Sequence, residues 1–253
     1  MIIPILRGGL GNQMFQIANA YAFAKRNNFN FGINYSLSFP ESQGNTAKKY
    51  RTNIYANIPF TDNTLSLVYK EPTFCYTPIQ PKDDIMFAGF FQSEKYFCDF
   101  SKEVKNLFTF PGEVKNKVDS FLNQFDKPIV SIHIRRGDYL KLSHFHKVIE
   151  AKYYLDASKL FGGYQAIICT DDIESVKKEM HFSKAIYSPF TDEIEDFYLL
   201  SQCDSSVICN SSFSWWGAYL GKDKKIVTAP KEWFASNGPK DFHDIYCKDW
   251  VLL

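Results

Sequence analysis

The chain has 253 residues, 45% hydrophobic and 23% charged, which excludes a wholly disordered chain and leaves one large domain or, fitting slightly better, two of about 120 residues each. Lysine and arginine total 29 against 28 aspartates and glutamates, a formal charge of +1, so no global field draws in nucleic acid or an anionic membrane and any anion site is local. The apolar start MIIPIL is interrupted by Arg7 and is far shorter than the ~20 residues of a spanning helix. Neither a signal peptide nor a transmembrane anchor is read from it, and the expected setting is cytoplasmic or membrane-peripheral.

Residues 1–6 read as a buried strand entering the glycine-rich turn Arg7-Gly8-Gly9-Leu10-Gly11. A helix should follow, with Asn12 placed to cap it and Met14, Phe15, Ile17, Ala18, Tyr21, Ala22 and Ala24 at helical spacing until Asn27-Asn28. From Phe29 to about Thr77 the text is polar and irregular, with breakers at Pro40, Gly44 and Pro59, which predicts a short strand, loops and small helices. Residues 84–91 form an apolar strand, Ser93 opens a helical segment reaching about Phe108, and Pro111-Gly112 breaks the chain. A helix over 112–125 leads through Asp126-Lys127-Pro128 to a strand over 129–134, and the boundary is placed here, giving domains 1–125 and 126–253. The second half then alternates: helix 152–161, strand 166–169, helix 173–180, strand 184–187, helix 194–201, strand 206–209, helix 214–220, strand 225–229. That alternation is the signature of an α/β fold with a parallel sheet.

Open α/β sheets receive ligands beyond the carboxyl ends of their strands, and the chemistry-bearing segments follow strands: 133–138, 170–172, 210–214 and, in the first half, 8–13. Arg135 and Arg136 end the apolar strand that contains His133, before the sharp Gly137-Asp138 turn. Arginine forks match phosphate oxygens in pairs and stay charged, so the pair suits the diphosphate of a nucleotide sugar; the plainer reading is an ion pair with Asp138. Strand alternation puts His133 and Arg135 on one face and Arg136 on the other, unless the turn begins at Arg135. GGLGNQM lacks the third glycine of a dinucleotide fingerprint and the Gly-Lys-Ser/Thr of a Walker loop. It leaves a turn whose backbone N–H groups, with Asn12 and Gln13, can meet a ligand at a helix N-terminus, or else a structural turn.

Thr170-Asp171-Asp172 suits a helix cap or an acceptor for the N–H groups of a guanine edge. Ser211, Ser212, Phe213 and Ser214, at the next helix start, suit phosphate binding. Six cysteines, Cys75, Cys98, Cys169, Cys203, Cys209 and Cys247, form no CxxC pair and are expected as free thiols. No Asp-x-Asp occurs and the closest histidine pair is His144 and His146, so no metal site is expected. No Gly-x-Ser-x-Gly elbow supports a hydrolase.

The segments GGLGNQMFQIANAYAFA, GFFQSEKYF, VSIHIRRGDY, CTDD and NSSFSWWGAYL, in order across residues 8–220, together resemble the signatures of the glycosyltransferase family 11 α-1,2-fucosyltransferases. HxRRxD is shared by several fucosyltransferase families; the serine-tryptophan segment points to this one. The resemblance implies a GT-B architecture, two Rossmann-like domains with parallel sheets facing across a cleft, with 1–125 on the acceptor side and 126–253 binding the donor. It implies inverting transfer of L-fucose from GDP-β-L-fucose to the 2-hydroxyl of a galactose-type acceptor on an oligosaccharide or glycan, with no metal or other cofactor.

Donor contacts pass to Asn12, Gln13, His133, Arg135, Arg136, Asp171, Asp172, Ser211, Ser212, Phe213 and Ser214. Arg135 also acts catalytically, stabilising the leaving diphosphate. Asp138 is either the base for the acceptor hydroxyl or a brace for Arg136. The chain is shorter than the typical family member, chiefly in the first half, so the acceptor is the least transferable expectation. The alternatives are another nucleotide sugar or acceptor, or a non-catalytic GDP-sugar-binding protein.

Overall fold

The structure, a computed structural model, describes residues 1–39, 46–182, 184–221 and 224–253; the breakers Pro40 and Gly44 lie outside them. The chain forms two compact units, Met1–Pro111 with Asp241–Cys247, and Gly112–Lys240 with Lys248–Leu253.

The N-terminal unit contains β1 (Ile2–Pro4), α1 (Leu10–Arg26), β2 (Leu67–Lys70), β3 (Ile85–Ala88) and α2 (Ser101–Leu107). Among the described residues its three strands are parallel in the order β1-β3-β2, and Phe31 bridges to Ile2 on the other side of β1. α1 is buried almost all round, including Met14, Phe15, Ile17, Ala18, Ala20, Ala22 and Phe23, which explains an alanine-rich helix with no polar face. It starts at Leu10 with Gly9 as its cap and no side-chain cap bond, so Asn12 sits in the first turn instead of capping it. The cause is Gly8, whose φ of +77° turns the chain into the helix. A Cβ there would strain this backbone and come 2.5 Å from Asn12 Nδ2. The segment after Ser93 is two 3-10 turns, Glu94–Tyr96 and Cys98–Phe100, ahead of α2.

The C-terminal unit contains α3 (Gly112–Leu122), β4 (Ile129–Ile134), α4 (Gly137–Lys141), α5 (Ala151–Ser158), β5 (Gln165–Thr170), α6 (Ile173–Glu179), β6 (Ile186–Tyr187), α7 (Glu193–Gln202), β7 (Ser205–Val207), α8 (Ser212–Leu220), β8 (Val227–Ala229) and β9 (Val251–Leu252). Among the described residues the six strands are all parallel, in the order β6-β5-β4-β7-β8-β9. The chain winds outward through β5 and β6, then returns to the other side of β4 with β7. The order therefore reverses between β4 and β7, the position at which doubly wound sheets open a crevice at their carboxyl ends.

The boundary between units differs from the one at 125/126. α3 packs on α7, with Lys117 Nζ 2.6 Å from Glu195 Oε1 and Phe121 5.5 Å from Phe190, so the break falls at Pro111-Gly112. Residues 241–247 return to the N-terminal unit, where Tyr76 N–H donates to Asp244 Oδ2 at 3.0 Å.

Candidate active site

All six residues of β4 are buried, as expected of a central parallel strand. Val130, Ile132 and Ile134 enter the core with Ile149 and Tyr154. Ser131 points the other way, its hydroxyl donating to Ser206 Oγ at 3.1 Å. The two arginines continue this alternation beyond the strand. Arg136 follows the core face: it is 2% exposed and its Nη1 donates to Ile149 O at 2.9 Å. Its Nε lies 3.1 Å from Glu179 Oε2, a charge contact without hydrogen-bond alignment.

Arg135 follows the His133 face and is 30% exposed. Its Nε donates to Asp138 Oδ1 at 3.0 Å, Nη2 reaches the same oxygen at 2.9 Å, and Nη1 lies 3.2 Å from Asp171 Oδ2. Burial works against its charge, but Asp171 and Asp138 outweigh it and hold the guanidinium above its ordinary pKa. Asp138 therefore pairs with Arg135 and not with Arg136, because α4 starts at Gly137 and carries the carboxylate back over the strand end. Oδ2 of Asp138 is buried with no hydrogen-bond partner among the described residues.

Asp171, one residue beyond β5, clamps the turn. Its Oδ1 accepts the Arg136 backbone N–H at 2.8 Å while Oδ2 meets Arg135. Gly137 allows this approach, since a Cβ there would stand 2.4 Å from Asp171 Oδ2. Asp172 is the cap of α6, its Oδ1 accepting from Ser175 N–H at 3.0 Å.

His133 and the end of β7 face each other. His133 is 6% exposed, and burial followed by the Arg135 charge pushes its pKa down to about 3, so the ring is neutral. Its Nδ1 lies 3.2 Å from Cys209 Sγ and its ring 5.5 Å from Phe213. At the start of α8, Ser211 N–H donates to Cys209 O at 2.8 Å. Ser214 is turned inward, donating to Ser211 O at 3.2 Å, while Ser212 and Phe213 are half-buried. Tyr139 ties the two turns together, its hydroxyl donating to Asn210 O at 2.9 Å.

The C-terminal unit thus brings together His133, Arg135, Asp138, Asp171 and Ser211–Ser214, and aims Arg136 away. In the N-terminal unit, Gln13 is fully buried: its Nε2 donates to Gly8 O at 2.8 Å and its Oε1 accepts from Tyr55 at 3.2 Å. Asn12 is half-buried and accepts from Gln92 Nε2 at 2.6 Å. Sequence reasoning missed Gln92, Tyr139 and Cys209. Gln92 and Tyr139 stand inside the recognised segments, GFFQSEKYF and VSIHIRRGDY, but their partners are set by the fold. No cysteine is disulfide-bonded. Among the described residues no group of three or more His, Cys, Asp or Glu is arranged to hold a metal, and no helix is long and apolar enough to cross a membrane.

The sheet order and the charged turn at its reversal define a doubly wound α/β protein whose arginine stands where such sheets receive their ligands. The chain belongs to glycosyltransferase family 11: the sequence model described as Glycosyl transferase family 11 matches residues 5–253. Among curated relatives it is 29% identical to an alpha-1,2-colitosyltransferase of Escherichia coli, covering 100% of this chain and 99% of that one. It is 24% identical to the galactoside 2-alpha-L-fucosyltransferase Sec1 of Mus musculus, covering 97% and 72%. Among solved structures, the fucosyltransferase NodZ from Bradyrhizobium shares the fold at TM-score 0.58 and 14% identity, covering 87% and 92%.

Proposed function

We propose that the protein is an inverting glycosyltransferase that moves L-fucose from GDP-β-L-fucose to the 2-hydroxyl of a galactose-type acceptor, forming an α-1,2 linkage without a metal or other cofactor. The observation that carries the reading is the half-exposed Arg135 fork at the carboxyl end of β4, in a chain that matches the family from residue 5 to 253. In inversion the acceptor oxygen attacks C1 of the sugar from the face opposite GDP, and negative charge gathers on the departing diphosphate. A guanidinium already oriented by Asp138 and Asp171 stabilises that charge without reorganising, an effect often worth several kcal/mol in a water-poor site.

Donor binding falls to His133, Arg135, Ser211, Ser212 and Phe213. Arg136, tied to Ile149, acts as a brace, and so does Asp171, whose two oxygens are engaged. The contact with Arg135 supports Asp138 as a positioning residue over Asp138 as the base. Asn12, half-buried, is more exposed than Gln13, and the acceptor is assigned to that unit.

A second donor reading is favoured by the colitosyltransferase relative, because colitose is fucose without its 3-hydroxyl. Incubation with GDP-fucose or the GDP-colitose analogue, lactose, and buffer with or without chelator separates them. An α-1,2-fucosylated product formed equally with chelator is expected. Transfer from the colitose donor alone moves the assignment to the second reading. Tight binding of UDP without GDP overturns both.

A further inference from the structure

We infer that Cys209 is a positioning residue of the donor site: its thiol donates to His133 Nδ1 and holds the imidazole in the tautomer that carries hydrogen on Nε2, the donor offered to a nucleotide oxygen. The inference rests on the donor-site reading above. β4 and β7 are adjacent, with Ile132 opposite Val207, so the residues just beyond those paired positions, His133 and Cys209, meet at the reversal of the sheet. Sγ stands 3.2 Å from Nδ1, well inside hydrogen-bond reach for sulfur.

Two arrangements fit that distance: a thiol donating to Nδ1, or an Nδ1–H donating to sulfur. The other neighbours of Sγ decide between them. Ser214 Oγ stands 3.7 Å from the sulfur, but its hydroxyl hydrogen goes to Ser211 O at 3.2 Å, so toward the thiol it is an acceptor. A neutral imidazole nitrogen is a stronger acceptor than a thiol sulfur, and Nδ1 at 3.2 Å is nearer than Ser214 Oγ at 3.7 Å, so the thiol directs its single hydrogen at Nδ1. Burial also keeps both partners uncharged: it pushes the thiol up to about 12 and, with Arg135, holds the ring down to about 3. Both shifts favour a neutral thiol beside a neutral ring over a thiolate–imidazolium pair.

A neutral imidazole has one hydrogen, so an accepting Nδ1 leaves it on Nε2. Phe213, 5.5 Å away and tilted 37°, packs on the ring and limits its rotation. His133 as a residue is 6% exposed. Phosphate, ribose and guanine oxygens are acceptors, so the wrong tautomer would set a lone pair against a lone pair.

The test uses the full chain, with long-range 1H–15N spectra of the histidine rings and steady-state kinetics on Cys209→Ala and Cys209→Ser, each checked by thermal melting. The expected wild-type spectrum shows His133 as the Nε2–H tautomer. Cys209→Ala is expected to mix the tautomers and raise the donor KM ~10-fold, with kcat within about 3-fold, the size of effect one net hydrogen bond gives. Cys209→Ser, whose hydroxyl donates to the same nitrogen, restores the tautomer and brings KM within about 3-fold of wild type. An Nδ1–H tautomer in the wild type overturns the inference, as does a folded Cys209→Ala protein with unchanged tautomer and KM. The spectrum needs no donor, so a protein that binds no GDP-sugar defeats the functional reading while the ring's tautomer is still decided.

Discussion

Arg135 and Arg136 are adjacent in sequence and opposite in fate. One is a half-exposed fork between two carboxylates; the other is buried against Ile149. Period-two alternation made that division legible, because β4 is buried on both faces and its residues have no freedom to turn. The partners of Arg135 were not legible: Asp171 is supplied by β5, and Asp138 is aimed by the short helix α4. With Asp138 as a positioning residue, Asp138→Asn should lower kcat ~10-fold, since one acceptor oxygen survives to hold Arg135, and leave the shape of the pH–rate profile unchanged. Loss of about 1,000-fold together with the acidic limb of that profile would assign it as the base.

Glu71 offers a separate residue-scale prediction. Its oxygens accept the N–H groups of Phe90 and Phe91 at 2.6 and 2.9 Å, yet burial pushes its carboxyl up to about 7, with Asp241 adding repulsion. A folded pKa above the unfolded one means the folded state holds the proton more tightly. Its contribution to stability is thus full below the ordinary carboxyl range and lost as pH rises to about 7. Urea denaturation across pH 4 to 8 should show that decline, and Glu71→Gln should flatten it. A wild-type profile that rises over the same window would contradict the assignment.

The strands and helices of the C-terminal half were readable because parallel strands buried on both faces stand out as apolar runs between helical repeats. β2 escaped notice: Leu67–Lys70 alternates between half-buried and exposed inside a polar stretch and pairs only with β3. β9, two exposed residues at the sheet edge, carries no pattern of its own. Asp172 was readable as a cap or as a guanine contact, and the α6 geometry supports the cap. Asp172→Ala should therefore cost about 1 kcal/mol of stability and leave GDP affinity unchanged; a tenfold loss of affinity in a folded variant would restore the guanine role.

At the scale of the molecule, the two parallel sheets were legible and the boundary between units was not. The polar Asp126-Lys127-Pro128 stretch has the composition of a linker, but α3 before it carries Lys117 onto Glu195 of α7 and Phe121 onto Phe190 just ahead of α7, and only tertiary packing assigns that helix to its unit. The return of residues 241–247 to the N-terminal unit has no local signal at all, because it rests on pairings such as Tyr76 with Asp244 across the length of the chain.

The proposed transfer depends on the Arg135 fork facing the donor diphosphate. The most direct measurement is calorimetric titration of GDP, with transfer assayed in parallel, on wild type, Arg135→Lys and Arg135→Ala, each confirmed folded by its melting curve. The prediction is that Arg135→Ala abolishes transfer and weakens GDP binding at least ~100-fold, the loss expected of a charge-assisted fork. Arg135→Lys should recover part of the binding and little of the rate, because a point charge cannot reproduce the paired geometry. Full retained activity in folded Arg135→Ala would contradict it.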